Sequence, residues 1–157
     1  MPSTANSKRI TRQKYSTSPV AREFLIFFSG DALGPPPSKM KLVLSEVAKK
    51  YPPSLGGQYL LGEGLTNNRN YWVHRSGHSA IWWNDQGWFW CVGTYEKLGQ
   101  NFAGIVGPFN QNGWPISITD GWNYYNGNEW TDAFPEDVKF LDWSTIEGKL
   151  VFLIFHG

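Results

Sequence analysis

Histidine side chains are the groups best suited to acid–base catalysis and metal binding near neutral pH. The chain has three of them: His74, His78 and His156. His74 and His78 flank a Ser76-Gly77 turn, so their rings could approach each other. A zinc site needs three or four ligands, and the nearest further candidates, Cys91 and Asp85, do not stand at a usual ligand spacing. We therefore interpret both histidines as surface turn residues and predict neither a metal nor another cofactor.

Carboxylates are the second group that could carry acid–base chemistry. They are plentiful in the second half of the chain: Asp120, Glu129, Asp132, Glu136, Asp137 and Asp142. A glycosidase places two carboxylates across one cleft, but most of these residues lie in turn contexts such as Thr119–Gly121 and Pro135–Asp137. The sequence contains no nucleophile elbow, phosphate loop, dinucleotide fingerprint or HExxH motif. We predict no catalytic residue, and a small hydrolase that uses these carboxylates stays as an alternative.

The single cysteine, Cys91, allows no intramolecular disulfide, which argues against a small disulfide-built secreted scaffold. It lies in the apolar run Trp88–Val92, where a buried and unreactive thiol is the expected state. The longest apolar runs, Phe24–Phe28 and Leu150–Phe155, are far shorter than the ~20 residues of a transmembrane helix. We predict an intracellular, cytoplasmic protein without a membrane partner. The basic, Ser/Thr-rich start of the chain is also compatible with an organelle transit peptide.

Charge is distributed unevenly along the chain. Residues 1–55 carry nine Lys/Arg and three Asp/Glu, whereas residues 56–143 carry four Lys/Arg and nine Asp/Glu. All nine tryptophans lie between Trp72 and Trp143, in the acidic part. Because nucleic-acid bases stack on aromatic rings beside a basic groove, this separation predicts no nucleic-acid partner.

Composition divides the chain into three regions. Residues 1–21 are polar and basic, which is typical of a disordered arm. Residues 22–55 form an N-terminal flank, in which a helix is predicted over residues 39–51 and ends at Pro52. The apolar residues of this helix follow the i, i+3, i+4 spacing: Met40, Val43, Leu44, Val47, Ala48 and Tyr51.

Residues 56–157 form a Trp-rich β domain, because aromatic and apolar runs alternate there with Gly, Asn and Asp clusters. The predicted strands lie near Gln58–Gly62, Asn70–Arg75, Ser79–Asn84, Trp88–Gly93, Gly104–Gly107, Trp122–Asn126, Glu129–Asp132 and Val138–Leu141, with a last buried strand at Leu150–Phe155. The predicted fold is mainly β, a small antiparallel sandwich or open barrel of short Trp-rich hairpins with the N-terminal helix packed on it.

An internal repeat occurs within this β domain. Residues 81–88 and 123–130, which start 42 residues apart, each contain an aromatic pair, a polar turn that begins with Asn, and a returning Trp. In the second copy, Asn126-Gly127 predicts a type I′ turn, because both residue types accept a positive φ. The repeat indicates a duplicated aromatic hairpin.

Aromatic residues are expected on both faces of the sheet, because neighbouring strand residues such as Trp82 and Trp83 face opposite sides. If one face meets solvent, its rings form a binding surface; if another element covers that face, they belong to the core. The first case predicts a non-catalytic module that binds a protein or peptide partner, with carbohydrate binding as an alternative. The candidate contact residues lie in or beside the two repeated hairpins: Trp83, Trp88, Trp90, Tyr125 and Trp130.

Overall fold

The structure is a computed structural model that describes residues 34–50 and 55–144. The described residues from Pro36 onwards belong to one compact unit, which contains all the elements below. The strands are β1 (Lys39–Leu44), β2 (Gly57–Leu61), β3 (Trp72–His74), β4 (Ser79–Asn84), β5 (Phe89–Thr94), β6 (Ile105–Val106), β7 (Asn123–Tyr125), β8 (Trp130–Asp132) and β9 (Val138–Asp142). Short 3-10 turns lie at Ala48–Lys50, Tyr95–Lys97 and Pro115–Ser117.

All nine strands belong to one antiparallel sheet, in the order β8-β7-β6-β5-β4-β3-β2-β1-β9. Strands β1 to β8 form a meander in which each strand pairs with the next, and β9 returns to pair with β1. The predicted mainly antiparallel β fold is therefore confirmed, as one curled sheet. The predicted strands from residue 58 to residue 141 are each observed, whereas the predicted strand at Leu150–Phe155 lies outside the described residues.

The prediction of a helix over residues 39–51 is wrong over its first half. Lys39–Leu44 is strand β1, and it pairs with β2 on one side and with β9 on the other. Met40 and Leu42 are fully buried, while Lys39 and Lys41 alternate with them on the outer face. The segment therefore forms a strand despite its helical spacing, because β2 and β9 on either side provide hydrogen-bond partners for its main-chain N–H and C=O groups. Ala48–Lys50 is a single 3-10 turn, and Tyr51 lies outside the described residues.

The concave side of the sheet encloses an aromatic core. The curl brings Trp122, just before β7, to 4.7 Å from Phe140 of β9, between ring centroids, although these strands lie near opposite ends of the sheet. Further indoles make edge-to-face contacts. The ring centroid of Trp90 lies 5.8 Å from that of Trp72 and 5.4 Å from that of Trp83. Such tilted pairs are the favoured arrangement of buried rings. The core therefore takes up a large share of the tryptophans.

A second, smaller buried cluster lies on the convex side of β4 and β5. It contains Ala80, Trp82 and Cys91, and the segment 95–103 covers it. The indole N–H of Trp82 donates to the carbonyl of Gln100 at 3.1 Å, which fixes this segment on the sheet. Strand β4 is therefore buried on both faces, which explains why its six residues form a continuous buried run.

The two repeated turns share a hydrogen-bond pattern. Asn84 Oδ1 accepts from the main-chain N–H groups of the second and third residues after it, and Asn126 Oδ1 does the same. The predicted type I′ turn is wrong, because Gly127 has a positive φ of 98° but Asn126 does not. A four-residue turn closes the β7–β8 hairpin instead, with Asn126 N–H donating to Glu129 O at 3.0 Å.

Candidate functional site

Two of the five predicted contact residues do not lie on the surface. Trp83 is 5% exposed and Trp90 is 0% exposed, and both belong to the core inside the curled sheet. Arg69 covers the ring of Trp83, with the guanidinium carbon 4.0 Å from the ring centroid. The prediction that these two rings form part of an exposed surface is therefore wrong, because the curl of the sheet buries the face on which they lie.

The other three predicted residues are exposed, and two of them, Tyr125 and Trp130, lie together. Trp88 is 55% exposed and occupies the β4–β5 turn with a positive φ of 58°. Trp130 is 48% exposed and Tyr125 is 39% exposed, on neighbouring strands of the sheet. Their ring centroids lie 5.8 Å apart in an edge-to-face arrangement. Only Tyr125 and Trp130, of these three, line the groove described next.

An apolar groove lies on the convex face of β5 to β8, with a cavity volume of about 710 Å³. This volume is within the range of ~300–1,000 Å³ that is typical of ligand pockets. Nine described residues line it: Phe89, Cys91, Asn101, Phe102, Ala103, Val106, Asn123, Tyr125 and Trp130. We refer to it as the β5–β8 groove and to its residues as the groove lining.

Strand register explains why these residues share one face. Cys91 pairs with Val106, and Val106 pairs with Asn123, so these three side chains form one row across β5, β6 and β7. Tyr125 and Trp130 are paired two residues further along β7 and form a second row on the same face. The first row forms the floor of the groove and the aromatic pair forms one wall.

The opposite wall comes from the segment that follows β5. Phe102 is 63% exposed and lines both the β5–β8 groove and a smaller adjoining cavity of about 270 Å³. Gly93 allows this wall to lie close to the sheet, because a Cβ there would be 3.2 Å from Ala103 Cα and 3.3 Å from Phe102 O. Lys97 lies near the ring of Phe102, with Nζ 5.5 Å from the centroid.

Phe102 was not among the residues predicted from the sequence. It lies in the loop Asn101-Phe102-Ala103, outside the predicted strands, so the strand and hairpin patterns predict no neighbour for its ring. The available signal is a lone phenylalanine within a Gly- and Asn-rich connection. A large apolar ring in such a loop either packs onto a neighbouring element or forms part of an exposed apolar surface. The ring of Phe102 is exposed.

The groove lining offers hydrogen bonding and apolar contact but no acid–base pair. None of its nine residues is Asp, Glu or His. Burial raises the pKa of the Cys91 thiol to about 12, so the floor of the groove carries a neutral thiol. The polar groups among the lining side chains include the amides of Asn101 and Asn123, the hydroxyl of Tyr125 and the indole N–H of Trp130. Within the described ranges, no group of three or more His, Cys, Asp or Glu side chains could hold a metal ion.

The histidines that flank the β3–β4 turn have structural contacts. His74 Nδ1 accepts from the main-chain N–H of Ser76 at 3.0 Å, so the neutral ring carries its proton on Nε2, which faces Gly56 O at 3.0 Å. Its ring also packs edge-to-face on Tyr59, with centroids 5.0 Å apart. His78 is exposed, as the sequence predicts for a turn residue. His156 lies outside the described residues.

Comparisons with known proteins found no matching family model, no matching curated protein and no matching solved structure. Over residues 34–50 and 55–144, no helix has the length and apolar character needed to span a bilayer. The functional assignment therefore depends on the chemistry of the β5–β8 groove.

Proposed function

We propose that this chain is a non-catalytic interaction module that binds apolar side chains of a protein or peptide partner in the β5–β8 groove. The observation that carries the proposal is that three exposed rings, Phe102, Tyr125 and Trp130, line the same β5–β8 groove. Tyrosine and tryptophan are the residues that most often dominate binding energy at protein interfaces. An aromatic wall on each side of an apolar floor fits an inserted side chain.

The geometry favours a slot for side chains over a flat platform. The rings of Tyr125 and Trp130 are inclined at 63° to each other, so they do not present one continuous plane. A side chain between Phe102 and Trp130 would cover apolar area on both walls. At about 25 cal/mol per Å², covering ~100 Å² of apolar surface contributes about 2.5 kcal/mol.

Carbohydrate binding is the second candidate. Its support is the presence of two side-chain amides, Asn101 and Asn123, in the same cavity as the Trp130 ring. Amides that hydrogen-bond hydroxyl groups beside a stacking indole suit a sugar ring. The hydrolase alternative has no comparable support, because no carboxylate belongs to the groove lining.

The proposal is tested by selecting ligands against the full chain. A random peptide library displayed on phage and a glycan array are each screened with the wild-type protein. Affinities of the retained ligands are then measured with Trp130→Ala and Phe102→Ala. Matched controls are Trp88→Ala and Phe109→Ala, which remove exposed rings of the same types outside the groove lining.

We expect peptides to be retained, and we expect each groove variant to weaken their binding at least tenfold, about 1.4 kcal/mol, while each control changes it less than threefold. Selective retention of glycans would support the second candidate instead. Equal effects of groove and control variants would refute a role for the β5–β8 groove.

A further inference from the structure

Strand β8 lies at one end of the sheet and pairs with β7 alone among the described strands. Ladder hydrogen bonds flank this pairing: Asn126 N–H donates to Glu129 O at 3.0 Å and Ala133 N–H donates to Trp122 O at 2.8 Å. Hydrogen-bonded pairs alternate along an antiparallel ladder. Thr131, in the middle of β8, therefore directs its main-chain groups towards β7.

Trp130 and Asp132 occupy the intervening positions, opposite Tyr125 and Asn123. The main-chain N–H of Tyr125 donates to Gly104 O at 2.9 Å, away from β8, as expected of a pair that is not hydrogen-bonded. The N–H and C=O groups of Trp130 and Asp132 therefore point away from β7 and out of the sheet that the described strands form. No hydrogen bond from the described part of the chain reaches these four groups.

The side chains at this edge are continuous with the groove. Residues two apart on a strand share a face, so Asp132 lies on the same convex face as Trp130, which is part of the groove lining. Both residues are exposed. An extended chain added along this edge would place every second side chain on the convex face, one beside an indole and the next beside a carboxylate.

We propose that β8 accepts an extended strand of the partner, through main-chain hydrogen bonds to Trp130 and Asp132. This inference rests on the proposed function and names the form of the partner. The strand carries an apolar residue that packs against Trp130 and enters the groove, and a Lys or Arg two residues away that faces Asp132. In such strand addition, main-chain bonds provide affinity and alternate side chains provide specificity.

The decisive variant is Asp132→Pro, with Asp132→Ala as its matched control. Proline removes the outward N–H and leaves the Thr131 bonds to β7, and edge strands tolerate proline where the N–H faces solvent. With peptides selected on the wild-type chain, we expect Asp132→Pro to weaken binding about tenfold or more. Asp132→Ala should cost about threefold or less and should abolish the preference for Lys or Arg at one peptide position.

A second measurement uses the wild-type chain alone. Each amide of a selected peptide is N-methylated in turn, and strand addition predicts that binding is lost at every second position. Selected peptides that depend on Trp130, bind both Asp132 variants equally and show no alternation would overturn strand addition and leave groove binding intact. A screen that retains no peptide would overturn the proposed function, and strand addition with it.

Discussion

The two repeated turns offer a matched pair of substitutions, Asn84→Ala and Asn126→Ala. Asn84 Oδ1 accepts two main-chain N–H groups at 2.9 and 3.1 Å, and its Nδ2 donates to Asn101 Oδ1 at 2.6 Å. Asn126 Oδ1 also accepts two main-chain N–H groups, at 2.9 and 3.0 Å, and its Nδ2 donates to Thr131 Oγ1 at 3.0 Å. Each substitution therefore removes three hydrogen bonds of the same kind.

Burial distinguishes the two sites. Asn84 is 1% exposed, whereas Asn126 is half-buried within a turn of exposed residues. Three hydrogen bonds at about 1 kcal/mol each give a loss of about 3 kcal/mol in the free energy of unfolding for Asn84→Ala. At Asn126, water replaces most of the lost bonds, and we expect a loss of about 1 kcal/mol.

Urea unfolding followed by far-UV circular dichroism measures both losses. With an m-value of about 2 kcal/mol/M, the Asn84→Ala midpoint should fall by roughly 1.5 M and the Asn126→Ala midpoint by roughly 0.5 M. Equal losses, or a loss below about 1 kcal/mol at Asn84, would refute the argument that burial makes this amide structural. A double variant with Asn101→Ala should show a coupling of about 1 kcal/mol, because both residues share one bond.

Three further predictions follow from the buried groups. Cys91 should react with iodoacetamide at pH 8 roughly a thousandfold more slowly in the folded chain than in urea, because its raised pKa leaves little thiolate; comparable rates would contradict a buried thiol. Burial raises the pKa of both Cys91 and Tyr59, so the two groups should lower the free energy of unfolding as the pH rises, the thiol from about pH 8.5 and the phenol from about pH 10, and the fall up to pH 12 should be smaller in Cys91→Ala. Trp72→Phe should cost about 2–4 kcal/mol in urea unfolding, because it leaves the buried Pro37 carbonyl without the indole N–H that lies 2.7 Å away; a loss under 1 kcal/mol would mean that this bond is dispensable.

The strands could be predicted because turn-forming residues mark where each strand ends. Turn residues such as Ser76-Gly77 and Asn84–Gly87 interrupt apolar runs of strand length, and the observed bounds of β4 match the prediction residue for residue. The spacing of apolar residues could not distinguish strand β1 from a helix. Met40 and Leu44 are four residues apart, which places them on one side of either element. Pairing with β9, about a hundred residues away, decides between the two elements.

The exposed aromatic residues were predicted only in part, for a related reason. Alternation correctly places Trp82 and Trp83 on opposite faces, but it cannot show which element covers each face. The curl of the sheet covers Trp83, and the segment 95–103 covers Trp82. Tyr125 and Trp130, on the last two strands of the meander, stay exposed and line the groove together with Phe102 of that segment.

Sequence separation was also a poor guide to surface chemistry. The basic residues of the N-terminal flank and the aromatic residues of the domain lie far apart in the chain, but the sheet brings some of them together. Lys41 of β1 lies over the ring of Trp143, with Nζ 4.4 Å from the centroid. Lys139 lies on the same outer face, because its partner Val43 is two residues from Lys41 along β1.

Charge and aromatic character are thus arranged by strand order, which places β1 beside β9 and leaves β8 at the other end of the sheet. The face with Lys41 and Lys139 carries two positive charges, while strand β8 carries the carboxylate of Asp132, although the net charge of the chain is only +1. A partner that approaches β8 with a Lys or Arg is attracted there and repelled at the β1–β9 face. Charge therefore directs such a strand to the edge beside the groove, where Trp130 is available for apolar contact.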